Sequence, residues 1–223
     1  MNQAAVVTID GPSGAGKSTI SRRLAVALGY TYLDTGAMYR AVALQAKRQG
    51  LGSEAQTDAL QSLLDGIGLE LLPGEGDTRV LLNGSDVSLE IRTPEMSLLA
   101  SKISALPAVR QKLTALQRML GKKGAIVAEG RDMGTVVFPE AANKFFLDAT
   151  PEERARRRVL QLQEQGRQVD PAEILRQTIL RDQADSSRDL APLKPATDAI
   201  IVDSSELTLD EVVSLMMEYI HGK

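Results

Sequence analysis

Residues 11 to 19 read GPSGAGKST, set between the apolar run AAVVTID and the helical pattern ISRRLAVAL. No other stretch constrains the fold as tightly, because it requires a strand to end, turn sharply and enter a helix within a few residues. Gly11, Gly16, Lys17 and Ser18 satisfy the spacing G-x-x-x-x-G-K-[ST] in that setting. Glycines there let backbone N–H groups turn inward around phosphate oxygens, and the following helix points its positive end at them. The candidate cradle is Gly11, Pro12, Ser13, Gly14, Ala15, Gly16, Lys17, Ser18 and Thr19. Lys17 is expected to reach the terminal phosphates and Ser18 to offer its hydroxyl to Mg2+, so the expected ligand is a nucleoside triphosphate with magnesium. The loop says how that ligand is held and nothing about where its phosphoryl group goes.

Around the loop, short β-branched runs alternate with longer helical patterns, which predicts an α/β fold with a five-stranded parallel sheet flanked by helices. Strands are expected at 5–9, 30–33, 125–128, 144–147 and 199–202. Residues 68–91 break the alternation with Gly-rich turns and read as a small antiparallel β insertion. A chain of 223 residues without internal repeats fits one large domain, burying roughly 70% of its unfolded surface. It has no cysteine, so no disulfide framework or thiolate metal site is available. The start MNQAAVVTID lacks a basic leader, and no uncharged apolar stretch reaches the ~20 residues of a membrane span. A soluble cytoplasmic protein with no membrane partner is expected. With Lys+Arg 26 against Asp+Glu 29, four Tyr, three Phe and no Trp, a nucleic-acid polymer is not an expected partner. His221 reads as an exposed terminal residue, and Met216 and Met217 as packing in the last helix.

Charged residues gather where strands should end, and ligands of open parallel sheets bind there. In LDTGAMYRAVAL, Asp34 or Thr35 suits a helix cap and Arg40 follows about a turn and a half later. Taken alone, this stretch is explained more simply as an ordinary capped helix with a surface arginine than as a second anion site. In AIVAEGRDMGTVVFP, Glu129, Arg131 and Asp132 directly follow an apolar run, and Glu129 is a candidate to orient magnesium through water, a role that the spacing alone does not establish. The helix DATPEERARRRVLQLQEQG opens on Thr150, Pro151 and Glu153 as a capping box. Its Arg154, Arg157, Arg158 and Gln161 are expected on one face, with Ala155, Val159 and Leu162 on another. Such a stripe serves either as a solvated face or as arginines closing over a transferring phosphoryl group. The next helix, capped in the same way by Asp170, Pro171 and Glu173, places Arg181, Asp185 and Arg188 at i, i+4 and i+7 on a shared face. An Arg four residues before an Asp is the weaker orientation for a helical ion pair, so a polar ligand such as a ribose and a base explains them better.

Taken together, GPSGAGKST, LDTGAMYRA, EIRTPE, GRDMGTVVFP, LDATPEERARRR and RDQADSSRDLAPL resemble the bacterial cytidylate kinases, a family of nucleoside monophosphate kinases. The resemblance runs from residue 9 to residue 195. It implies transfer of the ATP γ-phosphoryl group to CMP or dCMP, giving the diphosphate and ADP. It implies one kinase domain with a core (1–34, 122–150, 190–223), a monophosphate-binding region (35–121) and a helical lid (151–189), acting as a monomer. Lys17, Arg131, Arg157 and Arg158 are then the catalytic set, with Arg154 a third lid arginine. Thr35, Arg40 and Arg131 would face the acceptor phosphate, Ser101, Arg110, Asp132 and Arg188 the cytosine, and Arg181 with Asp185 the ribose. Asp132 would accept from the exocyclic amine and so reject uracil. Four positions depart from the family pattern: Thr35 stands where relatives often have serine, Ser186 and Ser187 where more charge is common, and Glu129 where some have aspartate.

Two other readings fit less of the chain. A kinase for a non-nucleotide acceptor has no use for the constellation at 181–188. A GTPase switch needs N-K-x-D, whereas Asn143 and Lys144 are followed by Phe145 and Phe146, and DGIG at 65–68 follows a helical pattern instead of a strand.

Overall fold

The computed structural model describes residues 6–52, 58–72, 78–122 and 124–222. Residue 5 of the expected first strand and residues 73–77 of the expected insertion lie outside these. The chain divides into two compact units, one formed by Met1–Tyr32 with Gly124–Lys223 and the other by Leu33–Lys123.

In the first unit, strand β1 (Val6–Asp10) leads into helix α1 (Lys17–Leu28), and β2 (Thr31–Asp34) crosses the division between the units. The unit continues with β6 (Ile126–Gly130), β7 (Asn143–Asp148), α6 (Pro151–Glu164), α7 (Pro171–Ser186), β8 (Ile200–Asp203) and α8 (Leu209–His221). The five strands order as β2-β6-β1-β7-β8, and β1 pairs in parallel with both β6 and β7. All five expected strands are present, each within two residues of its expected bounds. β1 and β6 are buried along their whole length, which is why their sequences are mainly apolar without polar alternation, with Thr8, Asp10 and Glu129 the buried polar exceptions. Val7, Ile9, Val127, Phe145, Leu147 and Val202 of the sheet pack with Ile20 and Leu24 of α1 and Val212 and Met216 of α8. Burial of each such side chain contributes roughly 1.5–3 kcal/mol. Met216 is buried, Met217 packs against the same cluster, and His221 closes α8 exposed to solvent.

The second unit holds α2 (Thr35–Arg48), α3 (Asp58–Gly66), β3 (Leu69–Leu72), β4 (Arg79–Leu82), β5 (Ser85–Asp86), α4 (Pro94–Ile103) and α5 (Pro107–Gly121). Its three strands form the expected antiparallel meander, in the order β3-β4-β5. Asn83 and Gly84 both take positive φ, 51° and 81°, in the two-residue turn that a tight hairpin prefers. The Asp65-Gly66 end of the DGIG segment closes α3, so no strand precedes it.

Two capping expectations change. Thr150 does accept from the Glu153 amide at 3.2 Å, but the Glu153 carboxylate turns to Arg156 and Arg157 instead of back to the cap. Asp170 accepts from Ala172, while Glu173 bonds Arg176 and Gln177. The reciprocal box lies on α8, between Thr208 and Glu211. In α6 and α7 an arginine one turn further on outcompetes the neutral cap amide for the glutamate, since a charge-assisted bond is the stronger of the two.

One buried carboxylate joins the ends of two neighbouring strands. Asp10, the last residue of β1 and 3% exposed, accepts from the Met133 and Gly134 amides at 2.8 and 2.7 Å. Those residues open the π-helical turn Met133–Val137 that follows β6. Burial pushes the Asp10 carboxyl up to about 7, and the neighbouring Asp132 adds to the rise, while the two amides and Lys17 oppose it. A group that holds its proton more tightly folded than unfolded stabilises the protein most below pH ~4 and loses that contribution as pH rises through 7. Asp10→Asn should therefore be less stable overall but should lose the decline between about pH 4 and 7 in denaturant unfolding. A variant that keeps the wild-type slope across that window would exclude Asp10 as its source.

Candidate functional site

The loop between β1 and α1 is shaped by backbone that only glycine tolerates. Gly11 has φ +147°, and a Cβ there would lie 1.9 Å from the Leu147 carbonyl oxygen on β7. Any side chain would force the loop away from the sheet. Gly14 and Gly16 also have positive φ, and Gly16 caps α1 with no side-chain hydrogen bond. Helices α2, α4, α6, α7 and α8 are each opened by an Asp or Thr side chain, while α5 starts without one behind Leu106 and Pro107, so it is the glycine loop together with the open entry that sets α1 apart. A helix entry without such a cap keeps its first N–H groups for an anion.

Lys17, 7% exposed, donates to the Pro12 carbonyl at 2.6 Å, bridging its own loop. Burial pushes its ammonium well below the usual lysine range, with Arg131 adding to the fall and Glu129 opposing it. Ser18 donates to Glu129 Oε1 at 2.8 Å, and the Tyr32 hydroxyl donates to the same oxygen at 2.7 Å. A hydroxyl and a carboxylate held together at the loop are hard oxygen donors of the kind magnesium takes.

Since Asp10 and Gly130 are partners in the β1–β6 register, the loop at Gly11 and the segment at Arg131 leave the sheet side by side. Arg131 donates to Asp185 Oδ2 at 3.1 Å and to the Gly130 carbonyl at 3.3 Å. Asp185, 1% exposed on α7, also receives Arg188. Burial raises the Asp185 carboxyl, but Arg131, Arg188 and Arg181 more than offset this and hold it below the ordinary carboxylate value. Asp132 is buried at the entrance to the turn after β6. Arg188 does not share a helix face with Arg181 and Asp185 as the spacing predicted. α7 ends at Ser186, and Arg188 reaches Asp185 from the segment beyond it.

The basic stripe of α6 also separates. Arg154 is buried with Ala155 and Leu162, and donates to the Ala149 and Ser13 carbonyls and to both oxygens of Asp182. Arg157 bonds Glu153 and the Ser204 carbonyl, at 2.9 and 2.6 Å. Arg158 meets Gln161, and burial lowers its pKa with help from Arg167. Ser204 follows β8 and donates to the carbonyls of Asp148 and of Ala15 in the loop.

In the second unit, Asp34 takes the capping role of α2, accepting from the Ala37 amide at 2.8 Å. Thr35 is the first helical residue and is buried. The Asp34 carboxylate also receives Arg40 at 3.2 Å and Arg92 at 3.5 Å. Gly36 leaves the room: a Cβ there would meet an Arg40 guanidinium nitrogen at 3.0 Å. Arg110, 8% exposed, lies over the Tyr39 ring at 6.0 Å and donates to the Ser104 carbonyl at 3.3 Å. Ser101 stands near the end of α4.

Several contributors escaped the sequence reading. Asp10 and Ser204 each stand at or just after a strand end, and applying the strand-exit rule to every strand would have found them. Arg92 lay inside the EIRTPE motif without an assigned part. Tyr32 and Asp182 left no local signal, because their partners are distant in the chain.

The chain matches the family model described as cytidylate kinase over residues 7–222. It is 49% identical over 220 residues to the cytidylate kinase of Syntrophotalea carbinolica, covering 99% of this chain and 93% of that protein. It is 48% identical over 223 residues to that of Vibrio parahaemolyticus, covering 100% of this chain and 98% of the relative. Among solved structures, a shikimate kinase from Bacteroides thetaiotaomicron shares the fold, with TM-score 0.51, 13% identity and coverage of 97% of this chain and 98% of that one. With the phosphate loop, the strand-exit arginines and the match along nearly all of its length, the chain belongs to the cytidylate kinase family.

Proposed function

We propose that this kinase transfers the γ-phosphoryl group of ATP to CMP or dCMP, giving CDP or dCDP and ADP. The observation that carries the reading is the β1–β6 register, which sends the donor loop and the Arg131–Asp132 pair off adjacent strands together. A phosphate-cradling loop beside an arginine and a carboxylate suits two anionic nucleotides, the second carrying a base with an amine to donate. ATP occupies the loop 11–19, with Lys17 on its terminal phosphates. Magnesium, with Ser18 and Glu129 to hold or orient it, supplies charge neutralisation on the phosphates when bound. Arg40, Thr35 and Arg131 serve the acceptor phosphate, Ser101, Arg110, Asp132 and Arg188 the base, and Arg181 and Asp185 the sugar.

The acceptor phosphate oxygen is already a nucleophile, so the residues have little bond chemistry to do. They hold two polyanions in line and offset their repulsion. Arg131 can exchange its bond to Asp185 for one to the acceptor phosphate. Arg157 and Arg158, on the helical lid 151–189, are assigned to the group in transfer, which requires Arg157 to leave Ser204. A monomer in the cytoplasm, with no polymer or membrane partner, completes the reading. The slightly negative net charge speaks against a nucleic-acid polymer, and no helix among the described residues is long and apolar enough to cross a membrane.

ADP release measured across nucleoside monophosphates should be fastest with CMP and dCMP and negligible with shikimate or without acceptor; acceptor-independent hydrolysis would sink the proposal. Asp132→Asn should erode discrimination between CMP and UMP by about tenfold or more, since one good polar contact to a base is worth ~1–3 kcal/mol. Unchanged discrimination would free Asp132 of base reading. Arg157→Ala should lower kcat by on the order of a thousandfold while moving KM for CMP only a few-fold. An unchanged kcat would remove Arg157 from the transfer step.

A further inference from the structure

Two carboxylates one helical turn apart on α7 hold arginines with different duties. Asp185 receives Arg131, which follows β6, and Asp182 receives Arg154, from α6. The Asp182 pair is a two-pronged fork, with Nη1 to Oδ1 at 3.1 Å and Nη2 to Oδ2 at 2.6 Å. The Arg154 Nη1 that meets Asp182 also donates to the Ser13 carbonyl in the donor loop at 3.2 Å, and Nε anchors to the Ala149 carbonyl at 2.8 Å. The loop rests directly on this residue, for a Cβ at Gly14 would lie 3.1 Å from the Arg154 Cβ. Arg154 is only 3% exposed. These contacts are those of a strut under the loop rather than of an arginine sweeping in from solvent.

We propose that Arg154 and Asp182 are positioning residues that couple the donor loop to α7, so that ATP and the nucleoside monophosphate each tighten the binding of the other. The proposal rests on the reading that α7 carries acceptor contacts at Arg181 and Asp185. Those residues flank Asp182 on the same turn of helix. An acceptor phosphate that draws on Arg131, and a sugar hydroxyl that draws on Asp185, both rearrange the turn that fixes the Asp182 carboxylate. The change is passed through a rigid fork to the Ser13 carbonyl and so to the curvature of the loop. A ligand shifts a second site only through contacts that differ between two states, and the effect is reciprocal. Here the differing contact is the shared one on Arg154. Bidentate Arg–carboxylate geometry resists bending far better than a single hydrogen bond and transmits the displacement.

The test is calorimetric titration of the full chain with the non-hydrolysable β,γ-imido analogue of ATP and Mg2+, with and without saturating CMP. The wild type should bind the analogue about fivefold or more tightly with CMP present. In Asp182→Asn this ratio should fall toward one, with the affinity for the analogue alone changing much less. Arg154→Lys, which keeps the charge but loses the fork, should lose the ratio too, and Asp182→Glu should restore part of it. Asp182 is 22% exposed, so its replacement should leave the chain folded, with a lower melting temperature. A wild-type ratio of one, or a full ratio in Asp182→Asn despite the lower melting temperature, overturns the coupling and leaves the pair merely structural. Titration of CMP into Asp185→Ala separates the two readings. If CMP binds that variant as it binds the wild type, the acceptor reading of α7 fails and the coupling falls with it. If CMP binding is lost there while Asp182→Asn keeps the ratio, only the coupling fails.

Discussion

A buried or half-buried arginine has to be held by something, and what holds it decides how much positive charge it still presents. In this kinase the holders are carboxylates that are shared. Asp34 takes Arg40 and Arg92, Asp185 takes Arg131 and Arg188, and Glu153 takes Arg156 and Arg157. Each group is left with an excess cation. Arginine suits this arrangement because its five donors let one side of the guanidinium rest on a carboxylate while the other side stays available. The elements are arranged around that requirement: Asp34 as a helix cap, Glu153 in a first turn, and Asp185 near the end of α7, where Arg188 returns to it from beyond the helix.

The same logic explains why lysine appears once in this machinery and in a different setting. Lys17 is buried at the loop, where desolvation disfavours its charge and Arg131 adds repulsion. It donates to a carbonyl of its own loop. A compact ammonium in that position gains most when a polyphosphate replaces the carbonyl, because an opposite charge restores what burial took away. An arginine here would stay charged regardless, and the loop would lose the difference between its empty and filled states.

How much of this could be read from residues alone depended on distance along the chain. The phosphate loop and the five core strands were legible because their causes are local: glycines at fixed offsets, and mainly apolar runs for strands buried on both faces. Arg131 and Asp132 do follow a strand exit, as the apolar run before them indicated. Helical spacing misled at Arg188, since the i, i+7 relation assumes a helix that in fact stops at Ser186. It misled again at Arg154, where a face counted as basic turned out to be buried against Ser13 and Asp182. The partner that makes burial of that guanidinium tolerable lies 28 positions away on α7, and no window of sequence displays it. The two capping boxes failed for a related reason, because an arginine a turn away competes for the glutamate more strongly than the cap amide does.

A buried carboxyl also ties stability to the geometry of the strand exits here. Asp10 gives up solvation to fix the first two amides of the turn after β6, and that turn sets the entry of Asp132. Replacing such a carboxylate with an apolar side chain would relieve the desolvation cost and leave two amides without their acceptor, which is the more expensive outcome in a buried place. A strand end that must both start a phosphate loop and brace its neighbour's exit therefore keeps an acidic residue that a purely structural sheet would exclude. The cost is borne at the point where β1 and β6 release their chains together, and it is there that the loop at Gly11 and the segment at Arg131 acquire a fixed relation.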